Sequence, residues 1–271
     1  MKKEIIEFGK RMDLAEDKKT LVEYAEGATY VLDLGAGTGK IARDIASAYG
    51  AKVDAVDIQF KDNCQNSDNV TYYGMGIREF LSITKTKYDC IILSAILHEL
   101  SDDYLECLTT YLPKVMKTNC RVIIREPFYD ETLGPILKED EETFIKLVKD
   151  NLPAGKAIEF FISEKLNAPT CGIQMANRVL HISALDWANL SFTISYGEQS
   201  WEREKNELRY ARSLNWCKDF FNFANRPFTA FQVLPTLDKT YKQHFINANI
   251  PGEAFDLVQY TGMIIIVDYS K

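Results

Sequence analysis

The stretch from Tyr30 to Arg43, YVLDLGAGTGKIAR, constrains the fold more than any other part of the chain. Val31, Leu32 and Leu34 make an apolar run of strand length, with Asp33 near its end. Gly35, Gly37 and Gly39 follow in two-residue steps, and the helix-like IARDIASAY comes next. Strand, glycine turn and helix in that order open a nucleotide-binding βα unit. Glycine lets the backbone turn sharply and approach a ligand with no Cβ in the way.

Spacing separates two ligands. A dinucleotide fingerprint needs glycine or alanine at the sixth position, where the helix packs closely on the strand beside a pyrophosphate. Lys40 stands there instead. The pattern that remains is GxGxG after an acidic strand end, and DLGAGTG resembles motif I of the class I (Rossmann-like) S-adenosylmethionine (SAM)-dependent methyltransferases. In that family a second acidic residue ends the next strand, about twenty residues on, and holds the ribose hydroxyls. Asp57 in KVDAVDI takes this place, while Asp54 lies short of the strand end and is read as a sheet residue.

The resemblance covers about 29–127 and implies SAM as cofactor, with S-adenosylhomocysteine (SAH) as product. By the same resemblance, Gly35, Ala36, Gly37 and Gly39 close on the methionine portion of SAM. Asp33 orients the glycine loop or reaches the ammonium. Ile58 and Ile77 flank the adenine. Family members often place an aspartate near Gly76 for the adenine amine. Here Met75-Gly76-Ile77 offers no acid before Glu79, so backbone and Ile77 are expected to hold the ring.

Read in order, 3–26 carries apolar residues at helical spacing (Ile5, Ile6, Leu14, Leu21, Val22) and reads as two short helices. Strand one ends at Leu34, and a helix runs from Gly39 to Tyr49 with Gly50 as its C-terminal cap. Strands follow at 52–57, 70–74, 88–97 and 120–127, with a helix from Ser101 to Met116 capped by Ser101. Strand and helix alternate, so the sheet is parallel with helices on both faces, and its ligands lie beyond the carboxyl ends of the strands. One cleft then collects Asp33, Asp57, Gly76, Ser94 and Glu126. The segment 128–227 is long for a link between strands five and six. It reads as helices at 139–150 and 154–166, strands or a hairpin in 179–197, and a helix over 200–224. It is expected to be either a substrate lid or a core and dimer-interface element. Strands at 228–234 and 263–269 complete the sheet, with FDLVQY (255–260) as a further candidate strand. The expected fold is therefore α/β: a doubly wound, mostly parallel seven-stranded sheet with an inserted α+β lid-like segment. Its parts are 1–127, the inserted 128–227, and 228–271.

Methyl transfer is an in-line displacement at a sulfonium, so the protein mainly positions the nucleophile, excludes water and removes a proton where one must leave. His98 follows the fourth strand and is a candidate base, since free imidazole titrates near about 6.5. It is also readable as a packing residue that shapes the pocket floor. Glu126 at the end of the fifth strand is a candidate to bind a substrate amine or hydroxyl, and is equally readable as a helix cap or a partner of Arg125. LSAIL at the fourth strand end is not the Asn/Asp-Pro-Pro-Tyr/Phe box of nucleic-acid amine methyltransferases, and it has no Pro-Cys for cytosine-C5 chemistry. A zincin reading of His98-Glu99 fails because Asp102 stands where the second histidine belongs. No metal-ligand spacing appears elsewhere.

The net charge of −7, with lysine and arginine spread evenly, argues against nucleic acid. The six cysteines form no CxxC pair and read as reduced thiols of a cytoplasmic protein. MKKEIIEFGK is too short and charged for a signal peptide, and no apolar run reaches membrane length. The aromatic residues of 187–231 are read either as lining an enclosed pocket or simply as core. The expected activity is methyl transfer to an O, N or C atom of a small molecule. The alternatives are an RNA or tRNA methyltransferase and a non-catalytic SAM- or SAH-binding regulator.

Overall fold

The computed structural model describes residues 16–60, 64–129, 174–176, 179–181, 212–235 and 260–269. The chain divides into two compact units. The first comprises 1–126, 216–236 and 263–271, and the second 127–215 and 237–262.

The first unit is built on a sheet. Helix α1 (Glu16–Tyr24) precedes β1 (Tyr30–Leu34), α2 (Lys40–Tyr49), β2 (Lys52–Asp57), β3 (Val70–Gly74), α3 (Ile77–Ile83) and β4 (Tyr88–Ser94). A 3-10 turn at Leu97–Glu99, α4 (Asp102–Val115) and β5 (Met116–Tyr129) follow. Later in the chain come β6 (Gln174–Ala176), β7 (Val179–His181), β8 (Arg212–Ser213), α5 (Leu214–Phe220), β9 (Ala230–Pro235) and β10 (Tyr260–Asp268). The main strand order is β3-β2-β1-β4-β5-β10-β9. Strands β1 to β4 pair in parallel, β5 pairs parallel with β4, and β10 pairs antiparallel with β9. This is the seven-stranded, mostly parallel α/β sheet expected from the alternating pattern.

Alternation along each buried strand sends side chains to both faces. Val31, Val53, Ala55, Cys90 and Ile92 form one core with Leu21 and Ala25 from the α1 end and with Ile41, Ala42, Ile45 and Ala46 of α2. Each fully buried isoleucine contributes about 1.5–3 kcal/mol, so the face of α2 alone holds that helix on the sheet. Leu32, Leu34, Val56, Ile91 and Leu93 are also buried, as are Phe80 and Leu81 of α3 and Leu108 and Leu112 of α4. Helix α2 ends as expected: Gly50 adopts φ 66 and its N–H donates to the Ala46 carbonyl.

Three boundaries and one helix cap differ from expectation. The fourth strand stops at Ser94 rather than continuing to Leu97, because Ala95 turns the backbone to φ 55 and a 3-10 turn takes over. Ser101 does precede α4, but its side chain makes no capping hydrogen bond. The fifth strand begins at Met116, directly after α4, and is longer than 120–127. The helix expected over 200–224 is interrupted by strand residues Arg212 and Ser213, and is helical in the described residues only from Leu214 to Phe220. Helix α3 is an element that sequence reading missed.

In the second unit, β6 and β7 form an antiparallel hairpin, with Met175 opposite Leu180, and β8 pairs with Phe128 and Tyr129 of β5. The helices expected at 139–150 and 154–166, most of the 179–197 region, the first expected N-terminal helix and most of 255–260 lie outside the described residues. No described helix is long and apolar enough to cross a membrane.

Candidate active site

Two turns meet at the carboxyl edge of the first unit's sheet. The first is the glycine loop between β1 and α2. Gly35, Gly37 and Gly39 have φ values of 72, 55 and 67, in the left-handed region that side chains disfavour. A Cβ on Gly39 would lie 2.5 Å from the Tyr72 ring, so that glycine is needed for packing. A Cβ on Gly37 would meet nothing within 4 Å, so that glycine opens onto space. The loop is fastened to the end of β2: Gly35 and Ala36 N–H donate to the Val56 carbonyl at 2.9 and 3.1 Å. Asp57 Oδ2 accepts from Gly37 N–H at 2.8 Å, and Oδ1 from Gln59 N–H at 2.9 Å. Each Asp57 oxygen therefore keeps lone-pair capacity beyond these bonds.

Asp33 is 1% exposed, and neither of its oxygens has a hydrogen-bond partner among the described residues. Burial pushes its pKa up to about 7. The charge of Lys18 offsets this only in part, and the Asp57 carboxylate adds to it. Asp33 does not fasten the glycine loop, because the Val56 carbonyl and Asp57 do. Asp54, the rejected competitor of Asp57, is an inward sheet residue whose Oδ2 accepts the Tyr88 hydroxyl at 2.6 Å.

Ile58, next to Asp57, is 80% exposed, an apolar side chain held out at the strand end. Ile77 is different: it is buried with Phe80 and Leu81 on the core side of α3. Gly76 precedes that helix in extended conformation with open space around its Cα.

The second turn follows β4. Ser94 pairs with Arg125 of β5, and its Oγ is buried without a hydrogen-bond partner among the described residues. Ala95 N–H donates to the Arg125 carbonyl at 2.7 Å. One residue further along β5, Glu126 is 1% exposed and caps the turn. Its Oε1 accepts from Ile96 N–H at 2.5 Å and Leu97 N–H at 2.6 Å. Its Oε2 lies 2.6 Å from His98 Nδ1. His98 is buried, and its Nε2 is 3.8 Å from Glu99 Oε1, beyond hydrogen-bond distance. Sequence reading named His98 and Glu126 separately; the structure brings them into one dyad. The residue it missed is Ile96, whose only signal was an apolar run that looked like more strand.

Residues 31–119 match the family model of a methyltransferase domain. No curated protein matches the chain in sequence. Among solved structures, geranyl diphosphate C-methyltransferase from Streptomyces coelicolor A3(2) is 10% identical at a TM-score of 0.55, over 93% of this chain and 79% of its own. The cyclopropane synthase MmaA2 from Mycobacterium tuberculosis is 8% identical at 0.53, over 92% and 81%. A Nostoc punctiforme PCC 73102 protein assigned as an O-methyltransferase is 11% identical at 0.49, over 94% of this chain. The chain spans only 56% of that protein's length. Within the first unit, residues 31–119 thus match a methyltransferase domain, and the fold is that of these solved structures.

Proposed function

We propose that the protein transfers the methyl group of SAM to an O, N or C atom of a small-molecule substrate, with SAH as product. One observation carries this reading: a glycine loop fastened to Asp57 lies at the same sheet edge as a buried His98–Glu126 dyad. The residues fit the cofactor. Gly37 leaves room for close approach, Asp57 has acceptor capacity left for two ribose hydroxyls, and exposed Ile58 offers an apolar face for the adenine. Asp33, buried and lacking a hydrogen-bond donor, suits an ammonium group. Gly35, Ala36 and Gly39 complete the loop, with Gly76, Ile77 and Ser94 at the neighbouring strand ends. When bound, SAM supplies a methyl group already activated on sulfonium.

The chain's own contribution is proton handling. Glu126 accepts Nδ1–H of His98, which fixes the tautomer with Nε2 as the acceptor nitrogen. Nε2 takes the proton from a substrate O–H or N–H, and the Glu126 carboxylate stabilises the imidazolium that results. Both Glu126 oxygens are already engaged, so its role is to position His98 rather than to hold substrate. The acidic chain, and the geranyl diphosphate that the Streptomyces enzyme binds, support a small-molecule acceptor over RNA. We place the protein in the cytoplasm, on its buried free thiols.

Methyl-labelled SAM incubated with the protein and separate metabolite and RNA pools tests this. Label in the metabolite fraction is expected. Label in RNA alone overturns the small-molecule reading, and SAH binding without transfer to either pool points to the non-catalytic regulator.

A further inference from the structure

The glycine loop and the dyad are joined by one side chain to which the proposed chemistry gives no role. A Cβ built on Gly35 would lie 2.8 Å from Ile96 Cγ1 and 2.9 Å from Ile96 Cδ1. The Ile96 side chain therefore sits in the space that a side chain at Gly35 would fill, pressed on the loop backbone. On its other side, the Ile96 N–H donates to Glu126 Oε1, and the opposite oxygen of the same carboxylate holds His98 Nδ1. Ala95, immediately before Ile96, is the one non-glycine with positive φ among the described residues, a conformation that costs about 1–2 kcal/mol. Without that turn the chain would continue as strand and carry Ile96 away from Gly35.

We infer that Ile96 is a positioning residue that couples occupancy of the glycine loop to the placement of His98, an inference that rests on the loop being the cofactor site and His98 the base. The path is short: Asp57 holds Gly37, Gly35 presses on Ile96, and Ile96 shares Glu126 with His98. Each link is a close contact, so displacement of the loop moves the imidazole. The base is thereby set in register with the donor rather than fixed independently of it.

The test follows the His98 ring by nitrogen and proton NMR as SAH is added, with binding measured separately by calorimetry. The chain has three histidines, so the His98→Gln variant assigns the signal. Addition of SAH should shift the His98 resonances of the parent. In Ile96→Ala, SAH should bind within about threefold of the parent while the shift is lost. Turnover should fall about 10–100-fold with an altered pH profile, as expected for misplacement of a reacting group by a fraction of an ångström. Ile96→Val retains both γ carbons and should restore shift and turnover, which a general packing defect would not do. SAH binding with unmoved His98 resonances in the parent, or a full shift in Ile96→Ala, overturns the coupling. Absence of SAH binding to the parent overturns instead the cofactor reading beneath it.

Discussion

The two turns at the carboxyl edge of the sheet solve the same problem by different means. The β1–α2 loop is held mostly through its own backbone: three left-handed glycines, two N–H groups donated to the Val56 carbonyl and one to the Asp57 carboxylate. The turn after β4 is held by a side chain from another strand, Glu126, whose carboxylate takes two backbone N–H groups and an imidazole. The first arrangement leaves open space at Gly37, where a ligand can approach the backbone. The second fills its space and fixes one ring nitrogen. A binding loop gains from lacking side chains, whereas a proton-transfer group gains from being surrounded by them.

Variants in the two turns should therefore fail differently. His98→Ala should have the largest effect, a loss of about 10²–10⁴ in turnover with SAH affinity nearly unchanged. Steady-state kinetics and calorimetry check it, and a matched loss of affinity would mean that the turns do not divide binding from chemistry.

Asp33→Asn probes the glycine-loop side. Folded Asp33 holds its proton up to about pH 7, against 3.8 for the ordinary carboxyl. Between those values the folded state binds more protons than the unfolded state, so stability contributed by this group falls as pH rises through the window. The full span corresponds to roughly 4 kcal/mol as an upper bound. Urea unfolding should therefore show Asp33→Asn gaining on the parent between about pH 4 and about pH 8. Parallel pH profiles would mean that Asp33 is not a buried acid in the free protein.

Glu126→Gln keeps the shape but offers an amide N–H to His98, reversing the tautomer. It should lose about 1–3 kcal/mol of stability and most of the turnover, with the ring nitrogen assignment inverted by NMR. A smaller effect distinguishes the glycines. Gly37→Ala should cost about 1–2 kcal/mol in strain alone, and Gly35→Ala more, because it also meets Ile96. Equal losses on denaturation would show that the Ile96 contact has no energetic weight.

The same contrast explains what was legible in the sequence. Glycine spacing after a short apolar strand is a local signal, so the loop, α2, its Gly50 cap, the place of Asp57 at the end of β2 and the parallel sheet could all be read from neighbouring residues. The dyad depends on residues 28 apart, and no local pattern says that Glu126 reaches back to cap Ile96 and Leu97. Hydrophobicity misled at Ala95-Ile96-Leu97, which continues the apolar run of β4 while the backbone turns away. Helix α3, seven residues long, was too short to show a period. Ile58 and Ile77 looked equivalent as adenine neighbours, yet one is exposed and the other packed in the core, a difference set by tertiary position.

The central claim is that the glycine loop and Asp57 bind the methyl donor. Calorimetry of SAH binding to the parent and to Asp57→Ala tests it most directly. The parent should bind, and the variant should bind more weakly by roughly 2–4 kcal/mol, since the ribose acceptors and the anchor of Gly37 are lost together. Equal affinity in the two proteins, or a parent that binds NAD in place of SAH, would contradict the account.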